Sequence, residues 1–260
     1  MKSISGNKFR AFLTMLGIII GVMALVILVS LVSGATGTVT DTISSLGSNL
    51  LSVTVSDDKG APVTLDTLDE WMADPQIGLA APSATTTATG KYFSTTKTVT
   101  VYGATPAYAP INGQTVLLGR FLTQADVENH TSVCIITEKT AEDMVGYTDC
   151  LGEEISLDGR KFTVVGILKN DDESLTGILT KNSMIAYIPY TTLMRLSATV
   201  SSTITSFSVS APEGGNMATT ESAMKRLLLD RFEDDEDAFS LLSQNMLEDA
   251  MSSVTGILTV

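Results

Sequence analysis

Apolar positions along this chain fall into one long run and several short periodic ones, and the long run decides the rest. Ala11 to Val32 (AFLTMLGIIIGVMALVILVSLV) is 22 residues without a charge, lying between Arg10 and a first acid at Asp41. As a helix rising ~1.5 Å per residue it is about 33 Å long, which matches a bilayer core of roughly 30 Å. Each Leu, Ile, Val or Phe favours insertion by about 0.3–0.6 kcal/mol, and no Asp, Lys or Arg opposes them at roughly 3 kcal/mol apiece. The run predicts a retained transmembrane helix over 11–32. A cleaved signal peptide competes, because Lys2, Lys8 and Arg10 form a basic lead-in. Against it, the run exceeds the usual ~7–15 apolar residues, and the following SGATGTVTDT offers no convincing A-x-A site. By the positive-inside rule residues 1–10 are cytoplasmic, and the main domain is extracytoplasmic at the cell membrane. Gly17 and Gly21 form a small-xxx-small pair that lets a second helix approach closely, although two tolerated glycines explain the pattern as well.

Past the run the period stays helical. Val32, Val39, Ile43 and Leu46 keep a 7-4-3 spacing, and Gly47 is a C′ stop, which predicts a stalk helix over 33–47. Leu51, Val53 and Val55 then alternate with Ser and Thr as a half-buried strand. Thr64 caps a short helix that carries Leu65, Leu68 and Met72 on one face and is ended by Pro75. A Thr-rich extended region runs from Ser83 to Tyr102, which completes a β-α-β unit.

The same order returns near the end, with a strand at Ile204–Val209, a helix capped by Asn216, and a strand at Phe239–Leu242. Two such bookends imply one split subdomain, 48–104 with 197–243, and an inserted mixed α/β subdomain over 105–196. The insert shows a strand at Val133–Thr137, a hairpin turning at Asp158-Gly159, and a last strand, Met184–Ile188, that stops at Pro189. The predicted fold class is α+β. Leu247, Met251, Val254 and Leu258 form a closing 4-3-4 stripe, and charge disappears from Ser252 onward. Residues 244–260 therefore read as a return stalk and the start of a second transmembrane helix, or as a docking tail.

Composition changes this picture in two ways. The formal net charge is −13, yet residues 1–40 carry three bases and no acids, so the remainder holds 13 bases against 29 acids. So acidic an outer part argues against nucleic acid as a partner. Two cysteines, Cys134 and Cys150, permit a disulfide worth about 3 kcal/mol in an oxidising compartment, or stand as separate buried thiols.

Catalytic patterns are missing. There is no G-x-x-x-x-G-K-[ST], G-x-S-x-G or H-E-x-x-H, and the one histidine, His130, excludes a His-rich zinc site and reads as a surface-loop residue. Glu233–Asp237 (EDDED) reads as a solvated acidic turn; calcium is the sharper idea, but the EF-hand glycine is absent. Trp71 reads as packing under the short helix.

Several segments in this order resemble the MacB-type permeases of ABC transporters, within the wider FtsX-like group. They are NKFRAFLTMLGIIIGV at Asn7–Val22, SSLGSNLLSV at Ser44–Val53, LLGRFLTQAD at Leu117–Asp126, VCIITEKTAEDMVG at Val133–Gly146, GEEISLDGRKFTVVGIL at Gly152–Leu168, and IPY at Ile188–Tyr190. The resemblance implies a porter-like split subdomain and a non-catalytic membrane subunit without a cofactor of its own. It also implies an ATPase subunit in the cytoplasm, a homodimer or permease heterodimer, and an adaptor (membrane fusion) protein as partners. Function would then be export or extracytoplasmic work driven by mechanotransmission. The other reading is a single-pass anchored binding module with no energy coupling.

Overall fold

The computed structural model describes residues 12–23, 50–170 and 183–243. Residues 12–23 form a helix, α1, whose apolar side chains are exposed. No helix among the described residues is long and apolar enough to cross a membrane. The expected span over 11–32 runs on beyond α1, and both stalk segments, 33–47 and 244–260, lie outside the described residues.

The first folded unit is a four-stranded antiparallel sheet in the order β11-β1-β10-β2, from β1 (Leu50–Val55), β2 (Ala80–Pro82), β10 (Ser206–Ser210) and β11 (Phe239–Ser243). Two helices complete it: α2 (Leu65–Trp71) joins β1 to β2, and α7 (Met217–Arg231) joins β10 to β11. This is two interdigitated β-α-β units, the split arrangement expected from the bookends. Local chemistry sets its boundaries. Thr64 and Thr67 form a reciprocal capping box at the start of α2, and the Asn216 side chain accepts from the Ala218 amide at the start of α7. Leu51, Val53 and Val55 point inward between Ser52 and Thr54, so one sheet face packs on the helices. That core gathers Leu68, Trp71, Phe207, Met224, Leu228 and Phe232, with Trp71 tilted against Phe207 at 5.7 Å.

The second unit is built from β3 (Ala84–Tyr92), β4 (Thr95–Ala104), β5 (Val116–Gly119), β6 (Val133–Thr137), β7 (Glu154–Leu157), β8 (Arg160–Leu168) and β9 (Met184–Pro189). Their order is β5-β8-β6-β9-β4-β3-β7, and β7 pairs again with β8. Six strands therefore close into a ring, with β5 appended. Asp158 and Gly159, both at positive φ, make the predicted tight turn between β7 and β8. The long β8 serves β7 with its first residues and β6 and β5 with its last. Its Gly166 is obligatory, because a Cβ there would collide with the Arg120 carbonyl. Short helices α3 (Tyr108–Ile111), α4 (Gln124–Glu128), α5 (Glu138–Thr140) and α6 (Tyr190–Leu196) decorate the ring, and α5 continues into a π turn at Ala141–Val145.

The insert is thus larger than the pattern implied. β3 and β4 belong to the ring, where β4 runs parallel to β9, so residues 84–104 leave the split subdomain and join the expected 105–196. Alternation along Val99 and Val101 reports a half-buried strand but not which sheet receives it, and the true second strand, Ala80–Pro82, is too short to show a period.

Candidate functional site

Two places in this fold can carry function: the edge where the chain enters and leaves, and the seam between the units. At the edge, β1 and β11 are antiparallel neighbours with Leu51 opposite Ser243. The described body therefore begins and ends on adjacent strands, about 4.8 Å apart. Any displacement of one flank against the other would shear β11 along β1.

The seam holds three connections. β2 passes into β3 with only Ser83 between them, and its amide donates to Ser206 O on the returning strand β10. Residues 197–205 form the second crossing. Between them stands α6, whose Tyr190 is packed in the core of the first unit while Leu193, one turn later, is packed in the ring. The Tyr190 hydroxyl donates to Ser201 O at 3.1 Å, which ties the helix to the second crossing. Thr191 and Thr192 donate to Val127 O and Thr131 O, which locks the opposite face of α6 to the ring.

Two cavities flank this wedge. One, of about 260 Å³, lies between the crossings and is lined mostly by hydroxyls, including Ser83, Thr85, Thr199 and Thr203. The other, of about 320 Å³, opens between α2 of the first unit and α3–α4 of the second, with walls that are mainly apolar.

Beside α6 the ring is braced by a buried carboxylate. Asp126 accepts from Arg120 Nη1 at 2.6 Å, from the Thr123 amide and hydroxyl at 2.9 and 2.7 Å, and from the Thr131 hydroxyl at 3.1 Å. Burial opposes its ionisation, but the Arg120 guanidinium and these donors outweigh burial and hold the carboxyl well below the usual range. Such a node orders the segment 120–131 on which α6 rests.

The residues singled out from sequence are scattered. Gly17 and Gly21 lie on α1, and a Cβ at either would meet nothing within 4 Å, so no other described element packs there. Val32, Val39, Ile43, Leu46, Leu247, Met251, Val254 and Leu258 fall outside the described residues. Cys134 and Cys150 are free, buried thiols within one apolar cluster. Burial raises both, Cys150 to about 11, where Glu153 and Asp149 add to it. His130 sits in a loop at positive φ. Asp235 of the acidic turn and Asp57, just after β1, share Lys59 at 2.7 and 3.2 Å. Among the described residues no group of His, Cys, Asp and Glu is arranged to hold a metal ion.

The feature missed from sequence is α6. Pro189 at the cap position, followed by Tyr190, Leu193 and Met194 at helical spacing, was the signal.

The chain matches the family described as "MacB-like periplasmic core domain" over residues 11–227. A macrolide export ATP-binding/permease protein MacB of Neisseria gonorrhoeae is 26% identical over 98% of this chain and 40% of its own length. The chain thus spans well under half of that relative. Among solved structures, the periplasmic region of MacB from Actinobacillus actinomycetemcomitans aligns with a TM-score of 0.67 at 18% identity, covering 82% of this chain and 96% of that one. The extracellular domain of the ABC-type transporter YknZ from Gram-positive bacteria aligns with a TM-score of 0.59 at 20% identity, covering 75% and 100%.

Proposed function

This chain belongs to the MacB-like periplasmic core domain family, and from that premise we propose that it is the extracytoplasmic body of an ABC transporter permease, moved by its two flanks. One observation carries the reading: Leu51 lies opposite Ser243, so the described body begins and ends on neighbouring strands. Paired helical flanks resist bending better than loops, and force delivered at β1 and β11 has a continuous path inward. It runs along the first sheet to β10 and β2, then through Ser83 and α6 into the ring.

In this reading residues 11–32 span the membrane, Gly17 and Gly21 face another helix there, and residues 1–10 meet the cytoplasm. The stripes Val32–Leu46 and Leu247–Leu258 pack as the two stalks. ATP hydrolysis on an ATPase in the cytoplasm supplies the movement, in keeping with the relative's name as an ATP-binding/permease protein. A second permease copy and an adaptor (membrane fusion) protein complete the assembly, and export or work on an extracytoplasmic partner is the output.

Cysteines placed at Val39 and Met251 test this in the permease assembled with its ATPase. A cross-link whose yield changes with nucleotide is the expected result. Its absence in every nucleotide state overturns the transmission reading.

A further inference from the structure

The cavity of about 320 Å³ at the seam is not needed by force transmission, and its chemistry is specific. Leu65 and Leu68 of α2, with Met72 at its C-cap, form one wall; Pro106, Pro110 and Val127 of the second unit form the other. At its rim stand one exposed carboxylate, Asp69, and the exposed Gln124 amide. The Thr105 hydroxyl, also in the lining, is buried without a hydrogen-bond partner among the described residues. A concave, mostly apolar site of this size with a few convergent polar groups is the usual form of a small-molecule pocket.

We propose that this cleft binds a small organic cation with an apolar body, whose charged end is held by Asp69. Charge decides the sign of the ligand. Asp69 projects from the first unit and Glu128 from the end of α4 in the second, with Asp66 one turn before Asp69 on α2. Burial raises the Asp69 carboxyl, and Asp66 and Glu128 raise it further. Asp69 at the rim, with Asp66 and Glu128 near enough to act on it, makes a negative field that favours a bound cation over a bound anion. No set of carboxylates among the described residues is arranged for a metal, and the walls are mainly hydrocarbon, so an organic cation fits better than a hydrated inorganic one. Occupancy would cross-brace α2 against α4, that is, one unit against the other. The site stands whether or not the flanks transmit force.

Trp71, the only tryptophan, ends α2 between the lining residues Leu68 and Met72, and its emission follows the packing of that helix. The test titrates the full chain in lipid nanodiscs with 2-phenylethylammonium, its neutral analogue 2-phenylethanol and the anion 3-phenylpropanoate, following Trp71 emission. A probe of about nine non-hydrogen atoms reaches half-saturation on the order of 1 mM in such a pocket. The cation should saturate at a concentration at least about tenfold lower than the anion. Asp69→Asn should abolish that preference while leaving the neutral analogue within about twofold, and its folding is not at risk because it removes a carboxylate that burial and its neighbours disfavour. Ala107→Phe should block all three by filling the cleft, with a thermal melt to confirm that it folds. No saturable change with the cation, equal affinities for cation and anion, or a preference that survives Asp69→Asn each overturns the proposal.

Discussion

The two units solve the same burial problem in opposite ways. The ring is contiguous in sequence from residue 84 to α6, and its six strands close on themselves through β8, which leaves the appended β5 as a margin. The first unit is assembled from chain ends about 120 residues apart, leaves β11 and β2 as open edges, and exposes a hydroxyl-rich sheet face with Ser52, Thr54, Ser206 and Ser240. Closure removes edges and resists shear, whereas an open sheet with one polar face can slide and twist. The contrast teaches a difference in stiffness: the open unit holds the first and last described strands of the body, and the closed ring joins it through Ser83, residues 197–205 and the α6 wedge. Stability follows the same logic, because the open unit borrows Tyr190 from α6 to complete its core.

The largest test of this contrast is at that loan. Tyr190 is 2% exposed, and Tyr190→Ala should cost about 4 kcal/mol through the cavity and the lost hydroxyl donor. The loss should fall on the first unit, so that calorimetry resolves two transitions where the native chain gives one; a single transition lowered as a whole would mean that the units are not separable.

Asp126→Ala strikes only the ring and should cost about 3 kcal/mol, because Arg120 and three hydroxyl or amide donors lose their acceptor. The depressed carboxyl also gives this effect a pH signature. Its contribution is fully present above the unfolded value near 4 and is lost as pH falls from there through the lower folded value, so native and mutant melts should converge in acid. An unchanged difference down to about pH 2 would remove the node from the account.

Gly166→Ala is the mildest of the three at about 2 kcal/mol, the cost of pushing the Arg120 carbonyl off β8. It sharpens the comparison by asking whether a closed ring can absorb a local displacement. Hydrogen exchange that rises only in β5 and β8 is the expected result, and a rise spread into the first sheet is the opposing one.

How legible this was in the sequence differs between the units for a physical reason. The first unit announced itself through strong local signals: the Thr64 and Asn216 caps, the alternation at Leu51–Val55, and the strand at Phe239 all fell where the structure has them. The ring announced its hairpin, since Asp158-Gly159 can do little else, but not its extent. Which sheet β3 and β4 enter is decided by the parallel pairing of β4 with β9, a contact between residues about 85 positions apart that no local period encodes. The seam was the least visible part. Tyr190 looks like the end of a strand until the wedge is seen, and Asp69 is one acid among 29 until α4 brings Glu128 beside it.

One further consequence follows from the adjacency of Leu51 and Ser243. A globule whose ends meet within a single strand spacing can be spliced into any tight bend of a host chain without prying that host apart. The whole body then behaves as a portable cassette, seated on whichever pair of helices offers two neighbouring anchor points.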